Sequence, residues 1–215
     1  MCRSRAAGST FRACPPIILK EFIKKKTRVR PLTEDIGISV NGIVSENQGI
    51  GINGRLPWRL KKEMAYFTRL TTETKDPSKK NVVIMGRRTW DVMPKKYRPL
   101  SNRINVVLTS KDLILGDEAL VCKSFPEALE KLSKIPLTDK IERIWVIGGS
   151  SVYKAAMELP NFHRLYLTLV RKYFECDTYF PPISNEFHLV KDPEVPEGIQ
   201  EENGLQYEFK VYEKA

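Results

Sequence analysis

From Ile36 onward, short β-branched and apolar runs recur between turn-forming clusters. They stand at 81–86 (NVVIMG), 103–110 (RINVVLTS), 119–123 (ALVCK), 141–149 (IERIWVIGG), 164–170 (RLYLTLV) and 204–213 (GLQYEFKVYE). Runs of this kind, bounded by Gly, Pro, Asn, Asp or Ser, read as strands. Two weaker candidates are IGISVNGIV at 36–44 and FHLVKD at 187–192. Segments of helical period lie between them: 60 to about 70, Arg87–Val92, 124–132 and 150–158. The third of these opens on Ser124 as cap, with Pro126 in its first turn and Phe125, Ala128, Leu129 and Leu132 as its stripe. Strands alternate with helices through the first two thirds, and the end is strand-rich. The pattern predicts an α/β domain over 36–215, built on a central, mostly parallel mixed sheet of about eight strands. An antiparallel C-terminal edge and about four flanking helices complete it.

The first helix holds an anomaly. On a wheel of about 100° per residue, Leu60, Met64 and Phe67 share one face with Leu70 at its edge, and Glu63 falls inside that face. Pattern alone favours a Glu at the edge of the face that reaches solvent and pairs with Lys61 or Lys62. The other reading is a carboxyl in an apolar cleft, where desolvation raises its pKa and a ligand's N–H edge can meet it.

Charge changes the picture only at one end. The net charge is +10, but residues 1–33 carry nine Lys or Arg and one acid, so the other 182 residues hold only +2. A nucleic-acid or anionic-surface partner is therefore suggested for an extension and not for the body. Residues 1–35 are basic and irregular and include KKKTRVR. They read as a disordered tail, a mitochondrial transit peptide, a nuclear-localising run or the product of an incorrect first exon. No apolar run approaches a membrane span. Cys2, Cys14, Cys122 and Cys176 form no C-x-x-C pair, and His163 and His188, the only histidines, lie in no nucleophile motif. Reduced thiols are expected, with no metal site.

Two segments repeat the plan strand, glycine, helix start. In IWVIGGSSVY the Gly148-Gly149 pair leads into Ser150, Ser151 and Val152; in VVIMGRRTW, Gly86 leads into Arg87, Arg88 and Thr89. Glycines let backbone amides approach a ligand, and helix N-termini favour phosphate. Leu108-Thr109-Ser110-Lys111 and Lys123-Ser124 place further small or basic residues at strand ends, where ligands of open α/β sheets bind. Singly, each segment reads equally well as an ordinary solvated turn.

Together they are ordered along the chain as in one family. The series is SENQGIGINGRLPW (45–58), E-x-x-x-F (63–67), VIMGRRTW (83–90), P-x-x-x-R-P-L-x-x-R-I-N (94–105), WVIGGSSVY (145–153), LYLT (165–168), CDTYFP (176–181) and QEENG…YEFKVYEK (200–214). The chain from about 36 to 214 resembles animal-type dihydrofolate reductases. The resemblance implies NADPH-dependent reduction of dihydrofolate to tetrahydrofolate, feeding one-carbon metabolism and thymidylate synthesis. It implies that Glu63 binds the pterin and serves protonation, with Thr168 as its hydrogen-bond partner and Trp58 holding a water beside it. Leu56 would belong to a loop closing over the nicotinamide. Met64, Phe67, Met93, Pro94, Leu100, Ile147, Tyr153 and Ile43 would line the substrate site, and Arg103 would clamp the substrate carboxylate. Ile50, Gly51, Arg87, Arg88, Thr89, Leu108, Thr109, Lys123, Gly148, Gly149, Ser150, Ser151 and Val152 would hold the cofactor, with a cis peptide between the two glycines. Antifolates would be ligands. The family implies a cytoplasmic, monofunctional monomer without a stable protein partner, mitochondrial if the extension is a transit peptide; messenger-RNA binding enters by family analogy only.

Three departures stand out. Met64 replaces a common Phe, and Ser110 stands where an Arg often holds the 2′-phosphate. Upstream of SENQGIG the family has an unbroken apolar run with an Ala at the pterin; here the run reads Val40-Asn41-Gly42-Ile43-Val44. Ile43 in the Ala position overfills the site at a cost of ~1–3 kcal/mol. The break points to residues 1 to about 42 arising from an incorrect exon or alternative splicing. The alternatives carried forward are a related pterin or pyrimidine reductase, and an impaired folate- or RNA-binding paralogue.

Overall fold

A parallel sheet buried on both faces needs strands that are apolar throughout, and the central runs of this chain meet that demand. The computed structural model describes residues 36–134 and 136–215; the readings of the basic extension at 1–35 lie outside them. The strands are β1 (Ile38–Ser45), β2 (Gly49–Gly51), β3 (Lys80–Gly86), β4 (Arg103–Leu108), β5 (Leu120–Cys122), β6 (Ile141–Gly148), β7 (Phe162–Val170), β8 (Thr178–Tyr179), β9 (Phe187–Val190), β10 (Gln200–Glu202) and β11 (Leu205–Lys214). The helices are α1 (Lys61–Thr72), α2 (Arg87–Val92), α3 (Phe125–Leu132) and α4 (Ser150–Met157).

The main sheet runs β10-β11-β7-β1-β6-β3-β4-β5, and β9 also pairs with β11. Pairings from β7 through β5 are parallel. β11 lies antiparallel to β7 and carries β9 and β10 antiparallel on its other edge. The expected mixed sheet with an antiparallel C-terminal edge is therefore present. β2 and β8 form a separate two-stranded ribbon that no sequence pattern announced. Among the described residues no helix is long and apolar enough to cross a membrane.

α3 and α4 cover one face, where Phe125, Ala128, Leu132, Val152 and Ala156 pack with Val40, Ile84 and Val146. On α1, Tyr66 and Leu70 pack with Val83, Met85 and Trp145 in a second cluster. The buried side of α1 is thus Glu63, Tyr66, Leu70 and Thr71. This differs from the predicted stripe. Met64 is 48% exposed and Phe67 only half-buried, because their side of the helix borders an open cleft instead of the core.

β1 also departs from expectation. It was one of the two weaker candidates, broken by Asn41-Gly42, yet it lies centrally between β7 and β6 and pairs with β7 without interruption from Val40 to Ser45. Gly42 fits because Phe180 fills its side: a Cβ there would lie 3.1 Å from Phe180 Cε2.

Candidate active site

Topology brings the sequence-predicted residues to two places. The first is the cleft between α1, β1 and β7. Thr168 on β7 is the Cα partner of Ile43 on β1, and its hydroxyl donates to Glu63 Oε1 at 3.2 Å. Glu63 is 4% exposed and Thr168 1%. Burial pushes the Glu63 carboxyl from 4.5 up to about 7; the Thr168 hydrogen bond opposes the rise, and the nearby Glu202 charge adds to it. The salt bridge to Lys61 or Lys62 that pattern favoured does not form. Instead the backbone N–H groups of both lysines donate to the Glu202 carboxylate, at 2.7 and 2.8 Å.

Glu202 is a site residue that sequence reasoning missed. It sits on β10, distant in sequence, and caps an α1 N-terminus whose own N-cap, Leu60, offers no side-chain bond. Its only sequence signal was membership in the QEENG stretch.

Trp58 is 7% exposed and packs edge-on against Phe174 at 5.2 Å. Its indole N–H is buried and has no partner among the described residues. Ile43 joins the same cluster from β1. Leu56 is 43% exposed in the segment leading to α1, beyond a turn in which Ile52 and Arg55 exchange backbone hydrogen bonds of 2.9 Å. Farther along α1, Arg103 donates to Thr71 Oγ1 at 2.8 Å and to the Ser101 carbonyl at 3.0 Å. Its guanidinium lies 5.9 Å from the Phe67 ring centre, and partial burial lowers its pKa. Met93 and Leu100 pack at the edge of the second cluster with Ile147, while Pro94 is exposed.

The second place is the row of strand ends. Gly86 pairs with Leu108, Leu108 with Cys122, and Met85 with Gly148. Four of the predicted cofactor groups therefore start from adjacent strands. Gly148 has φ +131°, and a Cβ there would lie 3.2 Å from Thr89 Oγ1. The Gly148-Gly149 peptide is cis. α4 opens at Gly149 without a side-chain cap, which leaves its first N–H groups to a ligand. Val152 and Tyr153 are buried behind it, and Ser151 is exposed. Thr109 is buried and accepts from Lys111 N at 3.2 Å. Arg87 pairs with Asp91 at 3.1 Å, Lys123 pairs with Asp112 at 3.3 Å, and Arg88 is exposed. Ile50 and Gly51 lie apart from this row, on the β2–β8 ribbon.

A mainly parallel α/β sheet with a buried carboxyl in one cleft and a basic, glycine-opened row of strand ends is the arrangement of an α/β ligand-binding protein, whose ligands bind at the strand ends. Comparison with known proteins makes the class specific. The dihydrofolate reductase family profile matches residues 38–214. The chain is 49% identical over 174 residues to the dihydrofolate reductase of Aedes albopictus, covering 80% of this chain and 94% of the relative. It is 47% identical over 176 residues to that of Sus scrofa, with the same coverage. The solved Schistosoma mansoni dihydrofolate reductase superposes with a TM-score of 0.76 at 35% identity, covering 84% of this chain and 99% of that one. This chain belongs to the dihydrofolate reductase family of enzymes.

Proposed function

We propose that the chain reduces 7,8-dihydrofolate to 5,6,7,8-tetrahydrofolate with NADPH, the donor-edge cleft and the phosphate row serving the two reactants. The observation that carries this reading is the Glu63 carboxyl, buried, bonded by Thr168 and pushed up to about 7. A two-oxygen acceptor matches a ring N–H beside an amino group and fixes the ring's register. A group titrating near working pH can hold and release the proton that the imine nitrogen takes up. The unpartnered Trp58 N–H suits a bound water, and such a water would relay this proton. Arg103 suits the substrate's carboxylate, a forked contact that Lys makes poorly.

NADPH, when bound, supplies the hydride for the imine carbon. The residues fit it: the side-chain-free approach at Gly148 and Gly149, the open N-terminus of α4, and the cations that follow β3 and β5 together suit a phosphate-bearing dinucleotide. Arg87 and Lys123 stand in exposed ion pairs. Such pairs contribute little, so a phosphate displaces the acids at small cost. With Ser110 uncharged, Arg87, Thr109 and Lys123 carry the preference for NADPH over NADH.

The test follows NADPH loss spectrophotometrically with dihydrofolate. Turnover is expected, and Glu63→Gln is expected to remove nearly all of it near neutral pH while NADPH still binds. In the wild type the rate should fall as pH rises through about 7. Wild-type turnover in the Gln variant overturns the mechanism.

A further inference from the structure

Asn41 is the polar side chain that this reading leaves without a task. It lies mid-strand on β1 and is 5% exposed. Side chains alternate along a strand. Ile38, Val40 and Val44 enter the cluster beneath α3 and α4, so Asn41 and Ile43 face the opposite side with α1. Ile43 pairs with Thr168, which holds Glu63, and Asn41 pairs with Tyr166. The pairing of Val40 with Val146 sets Asn41 beside the next residue of β6, Ile147. Asn41 and Ile43 are two extended residues apart, about 6.6 Å, comparable to the long dimension of a fused two-ring heterocycle. A flat ring with its donor edge on Glu63 thus spans Ile43 and ends over Asn41.

The Asn41 carboxamide makes no hydrogen bond to any other described residue. The bond from the Tyr153 hydroxyl to its backbone carbonyl, 3.1 Å, is the only side-chain hydrogen bond at this residue among the described residues. Asn105, equally buried at 5%, makes three through its carboxamide, to Leu100 N, Leu100 O and Arg103 O. The Asn41 carboxamide is not among the fully buried side-chain polar groups that lack a partner, so its polar end is not sealed in the core.

We propose that Asn41 is a ligand-contact residue whose carboxamide hydrogen-bonds the polar atoms of the heterocycle remote from Glu63. A carboxamide both donates and accepts, so it serves ring N–H, amino or oxo groups alike. The assignment rests on the dihydrofolate reading above. It makes the broken apolar run a specificity feature of this chain: Ile43 reduces the cleft's volume beside Thr168, and Asn41 adds a polar contact at the end remote from Glu63.

The experiment measures dissociation constants by fluorescence quenching on the full-length chain with NADPH bound, for folic acid and its 4-amino analogue. Wild type is compared with Asn41→Leu, which keeps the volume and removes the polarity, and with Asn41→Ala. Both variants are expected to weaken both ligands by about 3- to 10-fold, one neutral hydrogen bond. NADPH affinity should stay within twofold. A purely structural Asn41 would shift the melting temperature alone. Ligand affinities within twofold of wild type, or tighter, in the Leu variant overturn the assignment while leaving the reductase reading intact. A wild type that binds neither ligand overturns both.

Discussion

Ile43 on β1 lies beside Thr168 on β7, which bonds Glu63 on α1, and between them Ile43 and Glu63 set what the cleft accepts. Ile43 is half-buried beside Thr168, so its extra carbons project toward the carboxyl's surroundings. Ile43→Ala should lower the Michaelis constant for dihydrofolate and leave that for NADPH unchanged. Equal constants for dihydrofolate in the two forms would refute the crowding argument. The same substitution should cost up to about 2 kcal/mol of stability, at the low end for such truncations because the side chain is only partly buried. Glu63 was legible as an oddity and as a motif position, but pattern alone favoured the wrong environment. A wheel records which face a residue shares; it cannot say whether that face meets core, solvent or a cleft. Met64 and Phe67 misled it for the same reason.

At the scale of elements, helix ends were partly written in the local sequence. Ser124 accepts from Glu127 N at 3.3 Å, and Glu127 reaches back to Lys123 N at 2.7 Å, a capping box with its return bond displaced by one residue. Ser124→Ala should therefore destabilise the chain by about 1 kcal/mol, read from urea unfolding, and should weaken NADPH binding through a less ordered Lys123. Unchanged NADPH affinity would confine the cap to a structural role. The cap of α1 was not legible. Glu202 comes from β10 and reaches the Lys61 and Lys62 amides only after the C-terminal strands have folded back. β2, β8 and β10 were missed because strands of two or three residues carry no period to read and, unlike β5 with its apolar Leu120-Val121-Cys122, these three have no apolar run to mark them.

For the whole molecule, the buried carboxyl links stability to pH. The pKa of Glu63 rises from 4.5 to about 7 on folding, so the folded state binds more protons than the unfolded one between those values. Its contribution is fully present below 4.5, is lost progressively as pH rises toward 7, and changes no further above that. The loss is of order 3 kcal/mol at 1.36 per unit. Glu63→Gln cannot ionise, so relative to wild type it should gain stability between pH 5 and pH 8 in urea titrations of the ligand-free protein. Parallel stability profiles for the two proteins would remove Glu63 as the source. By itself the sequence determined the alternation of strand and helix, the glycine-opened helix starts, and an ordered series of motifs, because period, turn chemistry and spacing are local properties of a chain. Only the tertiary structure decided that the broken run at Asn41 lies at the sheet's centre, that Glu202 caps the head of α1, and that Glu63 is dry. Burial and charge proximity depend on which distant segments pack together, and no window along the chain contains both partners.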